Sequence, residues 1–266
     1  MNIKLPISIA LITYNEELNL ARTLSCVSDW ADEIIIIDSH STDKSTEIAR
    51  SFNSKLYIED WKGFSNQKNS ALAKCTNNWI LFLDSDEVVS DELKDNIINA
   101  ISNPLYNGYY INRKTFYLGK LLNYAWQPDS KLRLVNKIGN PLWKGELIHE
   151  ALFVEGNTEN ISGDLIHYSY KNIYHHFIKT IEYAQMSANS YYKIGNNFKI
   201  SNLLFNPFIA FIRLYIINKG IFDGVRGFIA AMSSMIGTFL KYAFLYELEI
   251  NNKLKNKLFT KQIEDL

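Results

Sequence analysis

Two carboxylates that follow a run of apolar residues are the side chains best suited to chemistry in this sequence of 266 residues. The run, residues 79–83, predicts a buried strand that leads directly into Asp84 and Asp86. Side chains alternate along an extended chain, so both carboxylates are predicted to lie on one side, where they repel unless a cation lies between them. A hard divalent cation suits this position, and such a cation in turn suits a diphosphate. The pair therefore predicts an enzyme that handles a nucleotide.

The segments around this pair are predicted to alternate between strands and helices. Apolar runs predict buried strands at residues 7–12, 34–37, 55–58 and 79–83. Helical spacing or N-cap residues predict helices at 17–30, 41–49, 66–73 and 90–101. This alternation is typical of an α/β fold, with a mostly parallel sheet flanked by helices.

Polar residues follow three of these predicted strands. Residues 13–16 follow the first strand, residues 38–39 end the second, and Asp84 and Asp86 end the fourth. Ligands of parallel α/β sheets bind beyond the carboxyl ends of the strands. The three polar clusters are therefore predicted to converge on one rim of the sheet.

The second half of the chain has a different pattern. Shorter strands are predicted at 109–112, 131–135, 142–148 and 165–168. Beyond residue 170 the chain is predicted to be helical to its end. The longest uncharged run there, residues 227–240, has 14 residues, fewer than the roughly 20 that span a bilayer, so no transmembrane helix is predicted.

Charge is unevenly distributed along the chain. The net charge is zero, but residues 168–246 carry +6 and residues 1–167 sum to −6, with a neutral tail. This asymmetry predicts an anionic partner for the basic half. Because the basic residues are interleaved with apolar ones, they suit an anionic membrane surface and argue against nucleic acid. A helical cap over the sheet or a homo-oligomer interface is the alternative.

Cysteine usage and the N-terminus bear on location. Cys26 and Cys75 form neither a metal-ligand pattern nor a disulfide framework, which favours a reducing, cytoplasmic setting. The chain enters a predicted strand almost directly after Met1, which leaves no room for a signal peptide. The prediction is a cytoplasmic protein, peripheral on the inner face of the membrane.

Four motifs in order resemble the family 2 glycosyltransferases, which have the GT-A fold. They are Thr13-Tyr14-Asn15-Glu16, Asp38-Ser39-x-Ser41-Thr42-Asp43, Gly63-x-x-x-Gln67-Lys68-Asn69-x-Ala71-Leu72 and Asp84-Ser85-Asp86. Two later motifs, Lys131-x-Arg133-Leu134 and Gly145-x-x-x-His149-Glu150, resemble the branch that adds glucose to the inner heptose of the lipopolysaccharide core. The resemblance implies a Rossmann-like catalytic domain at 1–168 and a C-terminal helical region at 169–266.

The resemblance also implies a UDP-sugar donor and a divalent cation, Mg²⁺ or Mn²⁺. The donor residues that it implies are Thr13, Tyr14, Asn15, Glu16, Asp38, Gln67, Lys68, Asp84 and Ser85. The implied metal ligands are Asp84, Asp86 and His149, although His149 is equally consistent with a buried structural histidine. Residues 13–16 alternatively form only a turn and an N-cap, and Lys68 alternatively lies on a solvated helix face.

An inverting transfer needs a general base that takes the proton of the acceptor hydroxyl. Glu150 is the first choice for this base, and Glu146, on the same face of an extended segment, is the second. Arg133, with Lys131, and Trp143 are the candidates for contact with an anionic acceptor and its sugar ring, with core packing as the alternative for the tryptophan. Three other histidines, His167, His175 and His176, are predicted to be structural.

The predicted function is transfer of a hexose, glucose from UDP-glucose, to a core sugar such as heptose of a lipid-anchored glycan. The alternative acceptor is a polyprenyl-phosphate-linked or capsule glycan. Outside this class, Asp84 to Val88 match the phosphatase pattern Asp-x-Asp-x-Val, in which the first carboxylate is a nucleophile. Three strand–helix units precede the motif here, which argues against that class. A non-catalytic protein that binds nucleotide sugars is the remaining alternative.

Overall fold

The computed structural model describes residues 4–145 and 150–264, with side chains as far as Leu254. The chain forms two compact units. The first consists of Met1–Thr115 and Pro128–Tyr168, and the second of Phe116–Gln127 and Ser169–Leu266. The division differs from the predicted domains, 1–168 and 169–266, in residues 116–127, which belong with the C-terminal helices.

The described residues contain strands and helices in the following order. The strands are β1 Leu5–Thr13, β2 Ala31–Asp38, β3 Lys55–Ile58, β4 Trp79–Asp84, β5 Glu87–Val89, β6 Gly108–Tyr117, β7 Lys120–Leu121, β8 Ser130–Asn136, β9 Leu142–Lys144, β10 Ala151–Phe153 and β11 Thr158–His167. The helices are α1 Leu20–Ser25, α2 Ser45–Ser51, α3 Phe64–Lys74, α4 Asp91–Ser102, α5 Ile173–Lys193, α6 Ile200–Ile212 and α7 Val225–Glu264. A π-helical segment, Arg213–Ile217, and 3₁₀ turns at Lys137–Gly139 and Gly220–Asp223 complete them.

The main sheet has the strand order β3-β2-β1-β4-β8-β6-β11-β5, with β7 paired to β6. Strands β3, β2, β1 and β4 are parallel. Strand β8 is antiparallel to both of its neighbours, β11 is parallel to β6, and β5 is antiparallel to β11. The predicted α/β fold is confirmed, with a parallel first half and a mixed second half.

Alternating side chains bury both faces of the parallel half. In β2, Ile34 and Ile36 belong to one core cluster, whereas Ile35 and Ile37 belong to the other. The first cluster also contains Leu20 of α1, and the second contains apolar residues of α3 and the β9–β10 hairpin. A strand with apolar layers on both sides needs a continuous apolar sequence, which is why these strands were recognisable.

Register confirms the predicted rim. Thr13 pairs with Asp38, and Ile12 pairs with Asp84, so β1, β2 and β4 end at one edge of the sheet. The predicted helix at 17–30 is shorter than expected, because α1 covers only Leu20–Ser25. The short strand β5 was not predicted.

The second unit contains the apolar helices. Segments Ile200–Ile217 and Val225–Leu254 have the length and composition of helices that cross membranes, with 11% and 28% of their apolar windows buried. The sequence predicted no such helix, because Pro207 and the charged residues interrupt its uncharged runs. The structure continues the helix through Pro207 and into the π-helical segment.

Candidate active site

Asp84, at the carboxyl end of β4, is held by two cationic side chains. Its carboxylate lies 2.6 Å from Nη2 of Arg133 on β8 and 3.1 Å from Nζ of Lys68 on α3. Both cations are buried, with 4% and 6% of their side chains exposed. The alternative that Lys68 lies on a solvated helix face is therefore wrong.

Glu87, the first residue of β5, is a second carboxylate that contacts Arg133. Its side chain is 0% exposed, and its carboxylate is 2.9 Å from Nη2 of Arg133 and 3.5 Å from Nη1 of Arg113. It also accepts the backbone N–H of Asp84 at 3.0 Å. Arg113 in turn donates from Nε to Asp129 at 2.7 Å. Charge-assisted hydrogen bonds of this kind fix both the position and the orientation of Asp84.

Burial and charge oppose one another at these carboxylates. Burial raises the pKa of Asp84, but the charges of Arg133 and Lys68 outweigh it and hold the pKa well below its usual range. At Glu87 burial prevails, and the pKa is raised. Burial lowers the pKa of Arg133, but the charges of Asp84 and Glu87 outweigh it, so the pKa rises overall. Asp84 is thus held in its ionised form by the cations around it.

Asp86 has a separate partner. The chain turns at Ser85 and Asp86 so that β5 can pair with β11, and the extended geometry expected for the two aspartates does not hold. Nε2 of His167, at the end of β11, lies 3.2 Å from the carboxylate of Asp86. The expectation that His167 has no carboxylate partner is wrong, whereas its structural role stays a prediction. Nothing in the local sequence connects two residues 81 positions apart.

The pair formed by Asp86 and His167 fits a divalent cation. A carboxylate oxygen and an imidazole nitrogen, each on a partly exposed side chain, are suitable donors for Mn²⁺, and the carboxylate for Mg²⁺. Within residues 4–145 and 150–264, no three His, Cys, Asp or Glu side chains form a metal centre. Cation sites that include a nucleotide commonly take only one or two protein carboxylates, with phosphate oxygens and water as the other ligands.

Lys68 also contacts Glu150, the predicted base. Its Nζ lies 3.5 Å from the Glu150 carboxylate, which is 21% exposed, and 4.3 Å from the ring centroid of Trp143. Trp143 is 6% exposed and packs edge-on against Phe82. One lysine therefore connects the strand-end carboxylate Asp84 to a carboxylate that remains accessible to solvent.

The β9–β10 hairpin determines where Glu150 lies. Asn69 of α3 exchanges two hydrogen bonds of 2.9 Å with the backbone of Trp143, and Ser65 donates to the carbonyl of Gly145 at 2.8 Å. Strand β10 begins at Ala151, which pairs with Lys144. Helix α3 thus anchors the segment on which Glu150 precedes β10. Glu146 and His149 lie outside the described residues.

The loop after β1 is tied to the loop after β2. The side chain of Asn15, whose φ is 54°, accepts the N–H of Thr42, and its own N–H donates to Ser41. The N–H of Glu16 donates to Ser45 at 2.8 Å. Tyr14 is 58% exposed. The N-cap of α1 is Asn19, so residues 13–16 do not cap that helix. Thr13 ends β1, and Tyr14 and Asn15 form a bend.

Three further predicted donor residues are buried at the rim. The carboxylate of Asp38 accepts both the N–H and the hydroxyl of Ser41. Gln67 is fully buried and donates to Ser39 at 3.2 Å. The hydroxyl of Thr13 is buried and has no hydrogen-bond partner among the described residues, which suits a site that a polar ligand completes.

Arg133 and Trp143, the predicted acceptor residues, contact other groups in the structure. The guanidinium of Arg133 pairs with Asp84 and Glu87, and both side chains are at least nine-tenths buried. Ser85 is buried, and its carbonyl accepts the hydroxyl of Thr23. Sequence reasoning missed Glu87 and Arg113. The position of Glu87 directly after the aspartates was an available signal, whereas Arg113 had none.

Comparison with known proteins identifies the family of this chain. The sequence model of the family described as "Glycosyl transferase family 2" matches residues 8–152, more than half of the chain. The chain belongs to glycosyl transferase family 2 and is a glycosyltransferase, as the four motifs predicted.

Several proteins are similar to this chain along most of its length. The lipopolysaccharide core biosynthesis glycosyltransferase LpsC of Rhizobium meliloti (strain 1021) is 29% identical over 92% of this chain and 93% of its own. The uncharacterized glycosyltransferase RT0209 of Rickettsia typhi is 29% identical over 93% of this chain and 89% of its own. The crystal structure of S. aureus TarS 1-349 in complex with UDP-GlcNAc has a TM-score of 0.49 and 14% identity, over 89% of this chain and 82% of that one.

Proposed function

We propose that this glycosyltransferase moves a hexose, glucose from UDP-glucose, onto a lipopolysaccharide or lipooligosaccharide core sugar such as heptose, with inversion. The similarity to LpsC along nearly the whole chain supports the core-sugar acceptor. The later motifs, at 131–134 and 145–150, support the heptose branch. A lipid-anchored acceptor would keep the enzyme at the cytoplasmic face of the inner membrane.

The donor nucleotide would bind at the rim formed by β1, β2 and β4. The buried hydroxyl of Thr13, which has no partner among the described residues, would hydrogen-bond to the uracil or ribose. The carboxylate of Asp38 would accept the imide N–H of the uracil. Tyr14, being exposed, would cover the base. Lys68 would lie next to the diphosphate, where its positive charge is complementary.

Asp86 and His167 would hold a divalent cation beside the diphosphate. A cation bound there supplies neutralising charge for the UDP leaving group. Asp84, the other carboxylate of the motif, is already paired with Arg133 and Lys68 and would lie beside this cation site. The predicted metal role of His149 remains a prediction.

Glu150 would be the general base. The acceptor hydroxyl oxygen would form a bond to the anomeric carbon on the face opposite UDP, its proton would pass to Glu150, and the bond from carbon to phosphate oxygen would break with the electron pair leaving on UDP. The observation that carries this proposal is the bridge by Lys68, which is 3.1 Å from Asp84 and 3.5 Å from Glu150. It joins a candidate base to the donor rim. Glu87, fully buried, does not suit this role.

Substitution of the base tests the proposal. Glu150→Gln should keep UDP-glucose affinity, measured by thermal protection in Mn²⁺, but should lower transfer to a truncated core acceptor by roughly 10²–10⁴-fold. Glu159→Gln, at an exposed position on β11, is the matched control and should transfer normally. Loss of transfer in Glu146→Gln with normal transfer in Glu150→Gln would reassign the base. Transfer to a polyprenyl phosphate carrier and not to the core acceptor would refute the acceptor.

A further inference from the structure

Helix α6 and the turn that follows it present a continuous series of large apolar side chains to solvent. Twelve such residues within 200–228 are 45% to 74% exposed. They are Ile200, Leu204, Phe205, Phe208, Ile209, Ile212, Ile216, Ile217, Ile221, Phe222, Val225 and Phe228. The first seven are mainly three or four residues apart, so they form one stripe along the helix. We call residues 200–228 the apolar hairpin segment.

The burial of this segment differs from that of a core helix. Only 11% of the window Ile200–Ile217 is buried, whereas a core helix of the same composition is mostly buried. Exposed apolar patches of this extent mark surfaces that bind another protein or a membrane.

The charges that this segment exposes are positive. Arg213 and Lys219 are exposed, and Arg226 is the third basic residue. The only acidic residue, Asp223, accepts the backbone N–H groups of residues 123–125 with its two carboxylate oxygens. Its carboxylate is therefore already hydrogen-bonded within the second unit. The remaining charge is positive and is interleaved with the apolar residues.

The surface is also preorganised. An added Cβ at Gly227 would lie 1.8 Å from the carbonyl oxygen of Gly220, and one at Gly220 would lie 2.7 Å from the carbonyl of Leu214. The π-helical segment, the 3₁₀ turn and the start of α7 therefore pack backbone against backbone. A surface that is already ordered loses little conformational entropy when it binds.

We propose that the apolar hairpin segment lies in the interface of an anionic phospholipid bilayer, with its apolar stripe at the level of the acyl chains. Arg213 and Lys219 would extend to the lipid phosphates. The positions of these charges within the stripe favour a helix parallel to the bilayer over one that crosses it. They also oppose pairing with a second copy, because an isologous contact would bring like charges together with no free acid to balance them.

This inference deepens the proposed function, since a lipid-anchored acceptor needs an enzyme at the bilayer. Its test needs neither donor nor acceptor. The full chain is sedimented with vesicles of phosphatidylcholine alone or mixed with phosphatidylglycerol. The anionic vesicles should bind it, and Phe205→Ser/Phe208→Ser/Ile217→Ser should bind about tenfold less. Leu105→Ser/Ile138→Ser/Ile194→Ser, which changes three apolar residues elsewhere that are even more exposed, should bind like the unchanged chain.

Charge substitution separates the two contributions. Arg213→Gln/Lys219→Gln should lose the preference for anionic vesicles. Equal binding of the unchanged chain to both vesicle types, or equal loss in the control triple variant, would overturn the proposal. So would a dimer that the Phe205, Phe208 and Ile217 changes dissociate without altering vesicle binding, or protein that only detergent and not alkaline carbonate releases. Donor protection and transfer to a soluble acceptor should stay unchanged in the triple variant, so failure here leaves the proposed transferase intact.

Discussion

Each unit contains a buried polar cluster, and the two clusters are built on opposite principles. In the first unit, Asp84, Glu87, Arg113 and Arg133 are charged, and opposite charges compensate one another at distances of 2.6 to 3.9 Å. In the second unit, a cluster of aromatic rings is neutral. Burial costs the first cluster desolvation energy that its ion pairs and hydrogen bonds must offset, whereas it costs the second cluster little.

The aromatic cluster contains a buried histidine. The rings of Tyr117, Trp126, Tyr170 and His176 have centroids 4.2 to 5.8 Å apart. The hydroxyl of Tyr117 lies 2.7 Å from Nδ1 of His176. Burial lowers the pKa of His176 to about 4, so the ring is neutral at physiological pH. Its burial among rings is consistent with the predicted structural role.

The surroundings of a buried polar group indicate its role. Paired charges beside accessible carboxylates can hold a reactive group in one orientation, which is a functional reason to bury them despite the desolvation energy. A neutral ring cluster with one buried hydrogen bond needs no such explanation. The first cluster is expected to govern transfer, and the second only stability.

The largest expected effect is at Asp86. Asp86→Ala should lower transfer by about 10³-fold and remove metal-dependent protection by UDP, because it deletes a donor to the cation. The melting temperature should stay close to that of the unchanged chain. His167→Gln should weaken the apparent Mn²⁺ affinity in the same assay. Asp95→Ala, at an exposed position of α4, is the control. Full turnover of the unchanged enzyme in chelator would refute the metal assignment.

Glu87 offers a test of the first cluster itself. Glu87→Gln should cost about 3 kcal/mol of unfolding free energy, because Arg113 and Arg133 lose a compensating charge. Transfer per folded molecule should fall by about tenfold, because Asp84 loses part of its support.

The matched control for Glu87 is a second buried carboxylate. Glu33 is 5% exposed and is held by Ser8, Lys55 and Thr76 near the amino end of β2, away from the rim. Glu33→Gln should lose stability in urea titrations and retain transfer. If both variants transfer equally well per folded molecule, the charged cluster has no role beyond stability.

The smallest effect is expected at His176. In the unfolded chain, His176 has a pKa of 6.5, whereas in the folded protein its pKa is about 4. The unfolded state therefore binds the proton first, and the free energy of unfolding, which is full above pH 6.5, decreases as the pH falls towards 4. His176→Phe should remove about 2 kcal/mol of this loss. Urea titrations at several pH values measure it, and transfer at neutral pH should change by less than about twofold. If the free energy of unfolding of the variant depends on pH as steeply as that of the unchanged chain, His176 does not cause this loss of stability.

Much of the rim was predictable because its signals are local. Continuous apolar runs mark strands buried on both faces, and parallel strands necessarily end at one edge, so Thr13, Asp38 and Asp84 were expected together. The turn at Ser85 and Asp86 was not predicted, because short strands such as β5 have no pattern of their own. The burial of Lys68 was likewise open, since a lysine on a short helix has no local sign of its neighbours.

By itself, the sequence determined the α/β alternation, the family and the strand-end carboxylates, because periodicity and motifs act over a few residues. Only the tertiary structure decided which charges compensate Asp84, that Asp86 faces His167, and that Lys68 connects Asp84 to Glu150. Those contacts depend on β8 lying antiparallel to β4 and on β11 pairing with β5. Strand order in a mixed sheet is set by packing of the whole unit, and no local residue pattern encodes it.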